Sequence, residues 1–414
     1  MFQTKECGDI HDIDLFIKNI LINSIQKKSL SIDSLILIKP NCNSDMIALT
    51  GNTTDLRIIV SIIRRLKDLG YENIIIGDGT SSGFVNSHID VLSRLGIKRL
   101  SEIFKIKYID FNEAEFTDVP FLDTSIRIAK VCLEADFFVN ISKLKTHAEA
   151  QMSACLKNMI GCVVGKDKQK VHTSLAEGIF ALNKILKPTL HFVDTLISME
   201  GTGPSRGIPK LTNILAVGDN PFYIDSFFAE FMGIGYKNVG YLELAEKEGL
   251  IDERELNISE IPHHNFLMPK PSLLFKLINR GPYRKFFAYV RYLPIIQEII
   301  SSSLLAFPLY ISGARQDIFI KEDDSIDEIY VDENLCTNCK LCTKYCPLEI
   351  DIPSRKKLFP GCIKCFYCYF ICPYQAIKIK GKPGYLKYQI NYYRQLIFER
   401  IVRNEGMFGN RISA

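Results

Sequence analysis

Two cysteine-rich segments near the end of the chain limit its possible folds more than any other feature. They are CTNCKLCTKYCP at 336–347 and CIKCFYCYFICP at 362–373, and both have the spacing Cys-x2-Cys-x2-Cys-x3-Cys-Pro. A four-iron cluster has four corners that each bind a thiolate. Three cysteines in one tight loop can occupy three corners, but the same loop cannot reach the fourth. The proline after each run turns the chain away and removes a backbone donor.

This spacing resembles that of bacterial ferredoxins with two clusters, over roughly residues 330–381. In those proteins the fourth cysteine of each run ligates the other cluster. The resemblance therefore implies two [4Fe-4S] clusters. One would be held by Cys336, Cys339, Cys342 and Cys372, and the other by Cys362, Cys365, Cys368 and Cys346. Two zinc sites are the alternative, but zinc motifs usually pair two Cys-x-x-Cys units across a longer gap.

Composition limits the class of protein. The chain has 414 residues, a length that predicts one large domain and one small one. Hydrophobic residues make up 47% of it, which is enough for a packed core. A net charge of +4 is too small to indicate nucleic-acid binding. Thiolate-bound clusters need a reducing compartment, and the charged N-terminus lacks the apolar core of a signal peptide. We therefore expect a cytoplasmic protein, from an anaerobe.

The region before the cysteine runs is the longest apolar stretch, at 286–313, but polar residues and Pro294 interrupt it. It predicts a helix packed between domains, with a surface-lying membrane or partner helix as the alternative, and no transmembrane segment. The predicted domains are an α/β domain at 1–265, a helical linker at 266–329, a ferredoxin domain at 330–381 and a basic, aromatic helical tail at 382–414.

Apolar runs alternate with helical patterns through the first half of the chain. Strands are predicted in DSLILIKPN, YENIIIGDGT and VCLEADFFVNISKLKTH, and a helix in TTDLRIIVSIIRRLKDLG. This order predicts an α/β fold with a mostly parallel sheet, followed by a small α+β ferredoxin-like domain.

Polar residues follow several of these strands. Ligands bind at the carboxyl ends of parallel strands, and the polar turns predicted at those ends are Lys39 to Asn41, Gly77 to Gly79, Asn140 to His147, Asp194, Glu200 and Asp219. Of these, Asp219 is of a kind that more often caps a helix or braces a turn than catalyses. Lys39, Asn41 and Asp78 are the candidate cofactor-binding residues. Lys39 could bind an anionic substrate, with simple turn chemistry as the alternative. Asp78 could bind a cation or a substrate hydroxyl, with a helix cap as the alternative. No glycine pattern of a nicotinamide or ATP site is present.

The densest polar stretch is KLKTHAEAQMSACLKNMIGCVVGKDKQKVH, residues 143–172. Lys157 lies among apolar residues, and a buried lysine shifts its pKa readily and can act as a base or nucleophile. His147 and His172 flank it and can perform acid–base chemistry or bind a metal. The alternative is that Lys157 extends from an amphipathic helix to solvent and that the other lysines form a solvated face.

Several motifs together resemble the family named domain of unknown function 362. They are IKPN, GDG, VNISKLKTH, CLKNMIG, MEGTGPSRG and GDNPFYIDSFFAEFMG. The similarity covers residues 30–235 and then 330–380, and many members of that family carry a two-cluster ferredoxin module at the C-terminus.

The order His147, Lys157, His172 is also similar to the His–Lys–His arrangement of nickel-pincer lactate racemases. That resemblance implies Lys157 as the tether of a nickel cofactor and the histidines as metal ligands or acid–base groups. The Gly-Gly that precedes the tethering lysine in those enzymes is replaced here by Cys155-Leu156.

Three functions follow from these patterns. The first is an iron–sulfur oxidoreductase, in which the clusters pass electrons to a substrate or cofactor in the α/β domain and receive them from a redox partner protein. The second is a non-redox isomerase or racemase of hydroxy acids with structural clusters. The third is an electron-carrier subunit without a substrate site. The small-molecule substrate is not predicted.

Overall fold

A computed structural model describes residues 1–270, 290, 319–355, 357–358 and 361–405. The apolar stretch at 286–313 and most of the predicted linker lie outside the described residues. The strands are β1 Phe2–Glu6, β2 Ile36–Lys39, β3 Ile74–Asp78, β4 Lys107–Asp110, β5 Phe116–Phe121, β6 Thr124–Ala129, β7 Phe137–His147, β8 Gln151–Ser153, β9 Leu190–Glu200, β10 Ile208–Gly218, β11 Ser325–Val331 and β12 Ile377–Lys382.

The helices of the described residues are numbered in chain order. They are α1 Ile10–Lys28, α2 Leu56–Asp68, α3 Ser82–Asn86, α4 Val91–Arg94, α5 Ile97–Phe104, α6 Val131–Glu134, α7 Cys155–Asn158, α8 Lys168–Thr173, α9 Leu175–Ile185, α10 Pro221–Phe231, α11 Gly240–Lys247, α12 Glu253–Leu256, α13 Leu341–Lys344, α14 Tyr367–Ile371 and α15 Leu386–Arg400. None of them is both long enough and apolar enough to cross a membrane.

One large sheet organises the first domain, in the order β1-β10-β9-β7-β2-β3-β4, and β8 pairs with β7. Its five strands from β9 to β4 are parallel. Strands β2 and β3 are buried along their whole length, as expected for the continuous apolar runs of a strand covered on both faces. The predicted α/β fold with a mostly parallel sheet is confirmed.

Strand β10 departs from the expected pattern, because it runs antiparallel to β9. The last residues of β10 therefore lie beside the first residues of the parallel strands, away from their carboxyl ends. The prediction that Asp219 lies with the polar residues at the carboxyl ends of the parallel strands is wrong. Its carboxylate instead accepts a hydrogen bond from the Met1 ammonium at 2.6 Å.

Two hydrophobic cores lie on the two faces of the sheet. On one face, α1 and α2 bury Ile13, Ile17, Ile59 and Ile63, and the same core continues into Tyr367 of the cysteine-rich domain. On the other face, α9, α10 and α11 form a separate core. The small domain is thus packed directly on α2 and completes one face of the large domain.

The cysteine-rich domain is a 26-residue repeat in its backbone as well as in its sequence. Helices α13 and α14 occupy equivalent places, and β11 pairs with β12. Left-handed backbone conformations recur at three pairs of equivalent positions: Asn338 and Lys364, Lys340 and Phe366, and Glu349 and Gln375. None of these residues is glycine, so each adopts a conformation that side chains disfavour.

Helix α15 lies within the predicted tail and packs against the large domain. The Gln389 amide donates to the Asp45 carbonyl oxygen at 2.9 Å and accepts from the Ile47 amide at 3.0 Å. The Tyr393 hydroxyl donates to the carbonyl oxygen of Gly207 at 3.1 Å. Residues 406–414 of the predicted tail lie outside the described residues, and the domain boundaries stay a prediction.

Candidate functional site

Four of the eight cluster cysteines line one cavity. Cys336, Cys339, Cys342 and Cys372 line a small pocket that is partly open to solvent. These four come from both halves of the repeat and are the set expected for one cluster. Within the described residues, no three His, Cys, Asp or Glu side chains are placed to hold a single metal ion. The four thiols instead surround the pocket.

The other four thiols lie near one another on the side facing α2. Burial, followed by the neighbouring Cys362 and Cys346 thiols, raises the pKa of Cys365 well above its usual value. Burial and then the Cys365, Cys362, Cys342 and Cys346 thiols do the same to the pKa of Cys368. Iron replaces the proton on such thiols, and it would remove the cost of burying them.

Backbone amides point at the cluster sulfurs. The Lys364 amide donates to the Cys362 Sγ at 3.3 Å, and the Ala376 amide donates to the Cys372 Sγ at 3.3 Å. Lys364 is one of the left-handed residues, so the unusual backbone turns its N–H toward sulfur. Hydrogen bonds of this kind stabilise thiolate charge and tune the reduction potential of a cluster.

Lys39 and Asp78 form a buried ion pair where β2 and β3 end. The Lys39 Nζ lies 2.8 Å from the Asp78 Oδ1, and both side chains are almost completely inaccessible. Asp78 also accepts from the backbone amides of Cys42 and Gly79 at 2.6 and 2.9 Å. A Cβ on Gly161 would lie 2.2 Å from the Asp78 Oδ1, so only glycine allows this close approach.

A network of side-chain amides extends from this pair across the ends of β2 and β7. The Asn41 amide donates to the Asn158 Oδ1 at 2.8 Å, and Asn158 donates to the Asn140 Oδ1 at 2.7 Å. The Lys145 ammonium donates to the Asn41 Oδ1 at 2.9 Å and the Asn52 carbonyl oxygen at 2.7 Å. We call these residues, with Lys39 and Asp78, the strand-end site.

Three lysines expected on a solvated face are buried instead. Lys143, Lys145 and Lys168 are at most 4% exposed. The Lys143 Nζ donates to the Asp194 Oδ2 at 2.8 Å, and both groups are fully inaccessible. Lys168 donates to the Thr80 carbonyl oxygen at 2.8 Å and to the Asn112 side chain. The solvated-face interpretation is wrong for these three because the strand ends supply their partners.

Lys157 differs from those lysines. It lies on α7 and is half-buried, and within the described residues no hydrogen bond or salt bridge holds its ammonium. Burial lowers the pKa of Lys157 to about 8, while the Glu149 charge acts in the opposite sense. Helix α7 itself is held firmly, since the Asp225 carboxylate accepts from the Cys155 and Leu156 amides at 2.8 and 3.1 Å.

The two predicted histidines lie on different elements. His147 ends β7 and is buried, and its Nδ1 accepts from the amides of Glu149 and Ala150, both at 3.1 Å. Accepting at Nδ1 leaves Nε2 as the protonated nitrogen of the neutral ring. His172 lies on α8 and is half-buried. The catalytic role of His147, Lys157 and His172 stays a prediction.

A chain of contacts joins the cysteine-rich domain to the strand-end site, which it reaches at Thr54, whose hydroxyl accepts from the Asn41 amide at 2.8 Å. The Leu56 amide donates to the Tyr367 hydroxyl at 3.1 Å, and the adjacent Asp55 amide donates to the Asp194 Oδ2 at 2.7 Å. The Arg57 guanidinium pairs with Asp55 and lies 4.4 Å from the centre of the Tyr345 ring. We call Asp55, Leu56, Arg57, Tyr345 and Tyr367 the junction.

Sequence reasoning missed the junction because its residues look ordinary. Asp55 has the pattern of a helix cap, and its side chain does accept from the Arg57 amide at 2.9 Å. The available signal was Arg57 itself, a charged residue on the otherwise apolar face of α2 that is only 4% exposed.

Comparison with known proteins agrees with this architecture. Residues 36–230 match the family model described as Domain of unknown function (DUF362), and residues 328–373 match the 4Fe-4S dicluster domain. The Thylakoid-associated protein sll1697 of Synechocystis sp. is 25% identical over 228 residues, which cover 52% of this chain and 68% of that protein.

A second relative is shorter in its match. The Uncharacterized protein MJ0749 of Methanocaldococcus jannaschii is 38% identical over 57 residues, which are 14% of this chain and 23% of that protein. No solved structure matches the chain. The dicluster domain implies two [4Fe-4S] clusters. The chain therefore matches the DUF362 family over residues 36–230 and carries a 4Fe-4S dicluster domain at residues 328–373.

Proposed function

We propose that this protein is an iron–sulfur oxidoreductase in which the dicluster domain passes electrons to a small molecule bound at the strand-end site. The observation that carries the proposal is the junction. Tyr367 lies between two cysteines of one loop, and its hydroxyl accepts from Leu56. The preceding residue, Asp55, donates its amide to the Asp194 carboxylate, which also accepts from the Lys143 ammonium on β7.

Burial supports the same direction of transfer. The junction side chains lie in the core that the two domains share, and Arg57 and Tyr367 are nearly inaccessible. Three of the four cysteines of one set, Cys336, Cys339 and Cys372, keep part of their surface, whereas only Cys365 does so in the other set. Electrons would enter from a redox partner protein at the cluster of Cys336 and leave through the cluster beside Tyr367.

Lys157, His147 and His172 are the acid–base groups of the proposed site. Reduction of an organic substrate consumes protons as well as electrons, and groups with a pKa near neutrality transfer protons efficiently. Lys157 satisfies this condition, because burial lowers its pKa to about 8. The Nε2–H of His147 is a second donor.

The test uses protein with dithionite-reduced clusters, freed of excess reductant, and a small-metabolite filtrate of the host. Stopped-flow absorbance follows reoxidation of the clusters by the filtrate. Tyr367→Phe keeps the ring but removes the hydroxyl, so reoxidation should slow several-fold while iron content is unchanged. Tyr330→Phe, on an exposed tyrosine of the same domain, is the matched control.

The two alternatives predict different results. If a compound in the filtrate is converted at the same rate by protein with oxidised clusters and by protein with reduced clusters, the protein is a non-redox isomerase. If the clusters reoxidise normally in both Lys157→Ala and Tyr367→Phe, electrons leave without reaching the strand-end site and the protein is an electron carrier. Slower reoxidation in both variants supports the oxidoreductase.

A further inference from the structure

The five lysines around the strand ends divide into two kinds. The ammonium groups of Lys39, Lys143, Lys145 and Lys168 are enclosed and donate to carboxylate, amide or carbonyl oxygens. Such groups are occupied and brace the site. Lys157 is half-buried, and no hydrogen bond or salt bridge within the described part of the chain uses its nitrogen.

The backbone around Lys157 is fixed on all sides. Asp225 accepts from the amides of Cys155 and Leu156, and the Asn183 amide donates to the Leu156 carbonyl oxygen at 2.9 Å. The next residue, Asn158, donates to Asn140 and accepts from Asn41. A reactive side chain must be held in position by its surroundings, and here a rigid backbone carries an amine that makes no hydrogen bond within the described residues.

We propose that Lys157 captures an aldehyde or ketone substrate as an imine. The Nζ lone pair attacks the carbonyl carbon and forms the C–N bond, and the electrons of the C–O bond move to oxygen. The two protons of the amine leave with that oxygen as one water molecule. No oxidant or reductant is consumed in this step.

The chemistry fits the environment of the amine. Only a neutral amine is nucleophilic, and a lysine becomes reactive when it is desolvated. Since burial lowers the pKa of Lys157 to about 8, about half of it is neutral at pH 8. An ordinary lysine with a pKa of about 10.4 is less than about 1% neutral there.

The inference rests on the proposed function for the site and limits its substrate. Two-electron reduction of the imine itself would leave a stable amine on Lys157 and stop turnover. Two electrons from the clusters must therefore reduce another bond of the captured molecule, such as a conjugated C=C bond. The two protons that this consumes must come from His147 and His172, since Lys157 is bonded to carbon at this stage and acts as a proton donor or acceptor only when it is free. Hydrolysis of the imine with one water then returns the carbonyl product and the free lysine.

The test traps the imine while the clusters stay oxidised. Anaerobic protein is incubated with glyoxylate or with propanal, in parallel, and with cyanoborohydride, and the modified peptides are quantified by mass spectrometry. Lys168 is the internal control, because burial also lowers its pKa to about 8 but its ammonium is bonded and 4% exposed. Lys184, half-exposed on the surface, reports ordinary reactivity.

The expected result is labelling of Lys157 at pH 7.5 at least tenfold faster than Lys184, with a midpoint near pH 8 and no label on Lys168. Equal or slower labelling of Lys157 with both probes, or an ordinary lysine midpoint, overturns the inference. Selective labelling of Lys157, together with no reoxidation of the clusters by the metabolite filtrate in stopped flow, would retain the inference and reject the proposed function. Reoxidation by a carbonyl compound at an unchanged rate in Lys157→Arg would do the reverse.

Discussion

The dicluster domain and the strand-end site bring their polar groups together over very different distances in the sequence. The cluster cysteines all fall between residues 336 and 372, in two copies of one spacing. The strand-end site joins Asn41 to Asn158, which are 117 positions apart, and Lys145 to Asn41, 104 positions apart. The spacing of the cysteines predicts cluster binding from the sequence alone, whereas the residues of the strand-end site come together only when the sheet forms.

The largest predicted effect tests whether each cysteine run binds its own cluster or supplies its fourth cysteine to the other cluster. Cys346 follows the first cysteine loop, yet it is predicted to ligate the cluster of the second loop. Cys346→Ala should therefore lose that cluster and retain about four of about eight irons per chain. Iron analysis and the electron paramagnetic resonance spectrum of the reduced protein measure this.

Two matched variants decide which cluster is lost. The spectrum that remains in Cys346→Ala should equal that of Cys365→Ala and differ from that of Cys339→Ala. A spectrum like that of Cys339→Ala would mean that each loop holds its own four ligands, and the crossed assignment would be wrong.

The next effect tests a contact that only the fold creates. Asp78→Asn leaves the Lys39 ammonium buried beside a neutral amide, and breaking a buried ion pair costs about 3–5 kcal/mol. Urea unfolding followed by circular dichroism, without oxygen, measures the loss. Replacing both partners, as Lys39→Met with Asp78→Asn, should recover most of it, because no charge is then left unpaired and the side-chain amide oxygen can still accept from a backbone amide of Cys42 or Gly79. A loss below about 1 kcal/mol in Asp78→Asn would contradict the buried pair.

The smallest effect separates Lys157 from the lysines that brace the site. Lys157→Met breaks no hydrogen bond of the described residues and removes an ammonium whose burial is unfavourable at pH 7, so the free energy of unfolding should rise slightly rather than fall. Lys168→Met, which loses the bonds to Thr80 and Asn112, is the contrasting variant and should lower that free energy.

The pH dependence of Lys157→Met has a defined sign. The folded-state pKa of Lys157 is about 8, below its ordinary value of 10.5. Between these values the unfolded chain holds a proton that the folded protein has released, so stability rises with pH, by at most about 1.4 kcal/mol per unit. Wild type should gain stability over Lys157→Met from pH 8 to 10.5. A flat difference would show that the ammonium is not desolvated.

The fold was largely predictable, and the site only in part. Buried apolar runs identified β2, β3 and β7, since such runs suit only a covered parallel sheet. The direction of β10 was not predictable, because an apolar run has the same pattern in either direction, and Asp219 was misplaced for that reason. The polar stretch around Lys157 was visible in the sequence, but only the fold shows which of its lysines are paired.

The junction was invisible for a related reason. A helix cap such as Asp55 and a tyrosine between cysteines have common local explanations, and their contact depends on how two domains pack. The resemblance to lactate racemases predicted a tether at Lys157, and neither the fold nor the relatives test that role.

The left-handed residues of the cysteine-rich repeat have a consequence for how the protein is made. Six non-glycine residues in that conformation cost roughly 1–2 kcal/mol each, a cost that bonds from thiolate to iron would have to offset. Since Tyr367 and its neighbours complete the core over α2, a chain without iron would also leave the large domain's apolar face bare. Cluster assembly would then act as quality control for the whole polypeptide: in iron-starved cells the protein should be degraded, and its abundance should follow the iron supply.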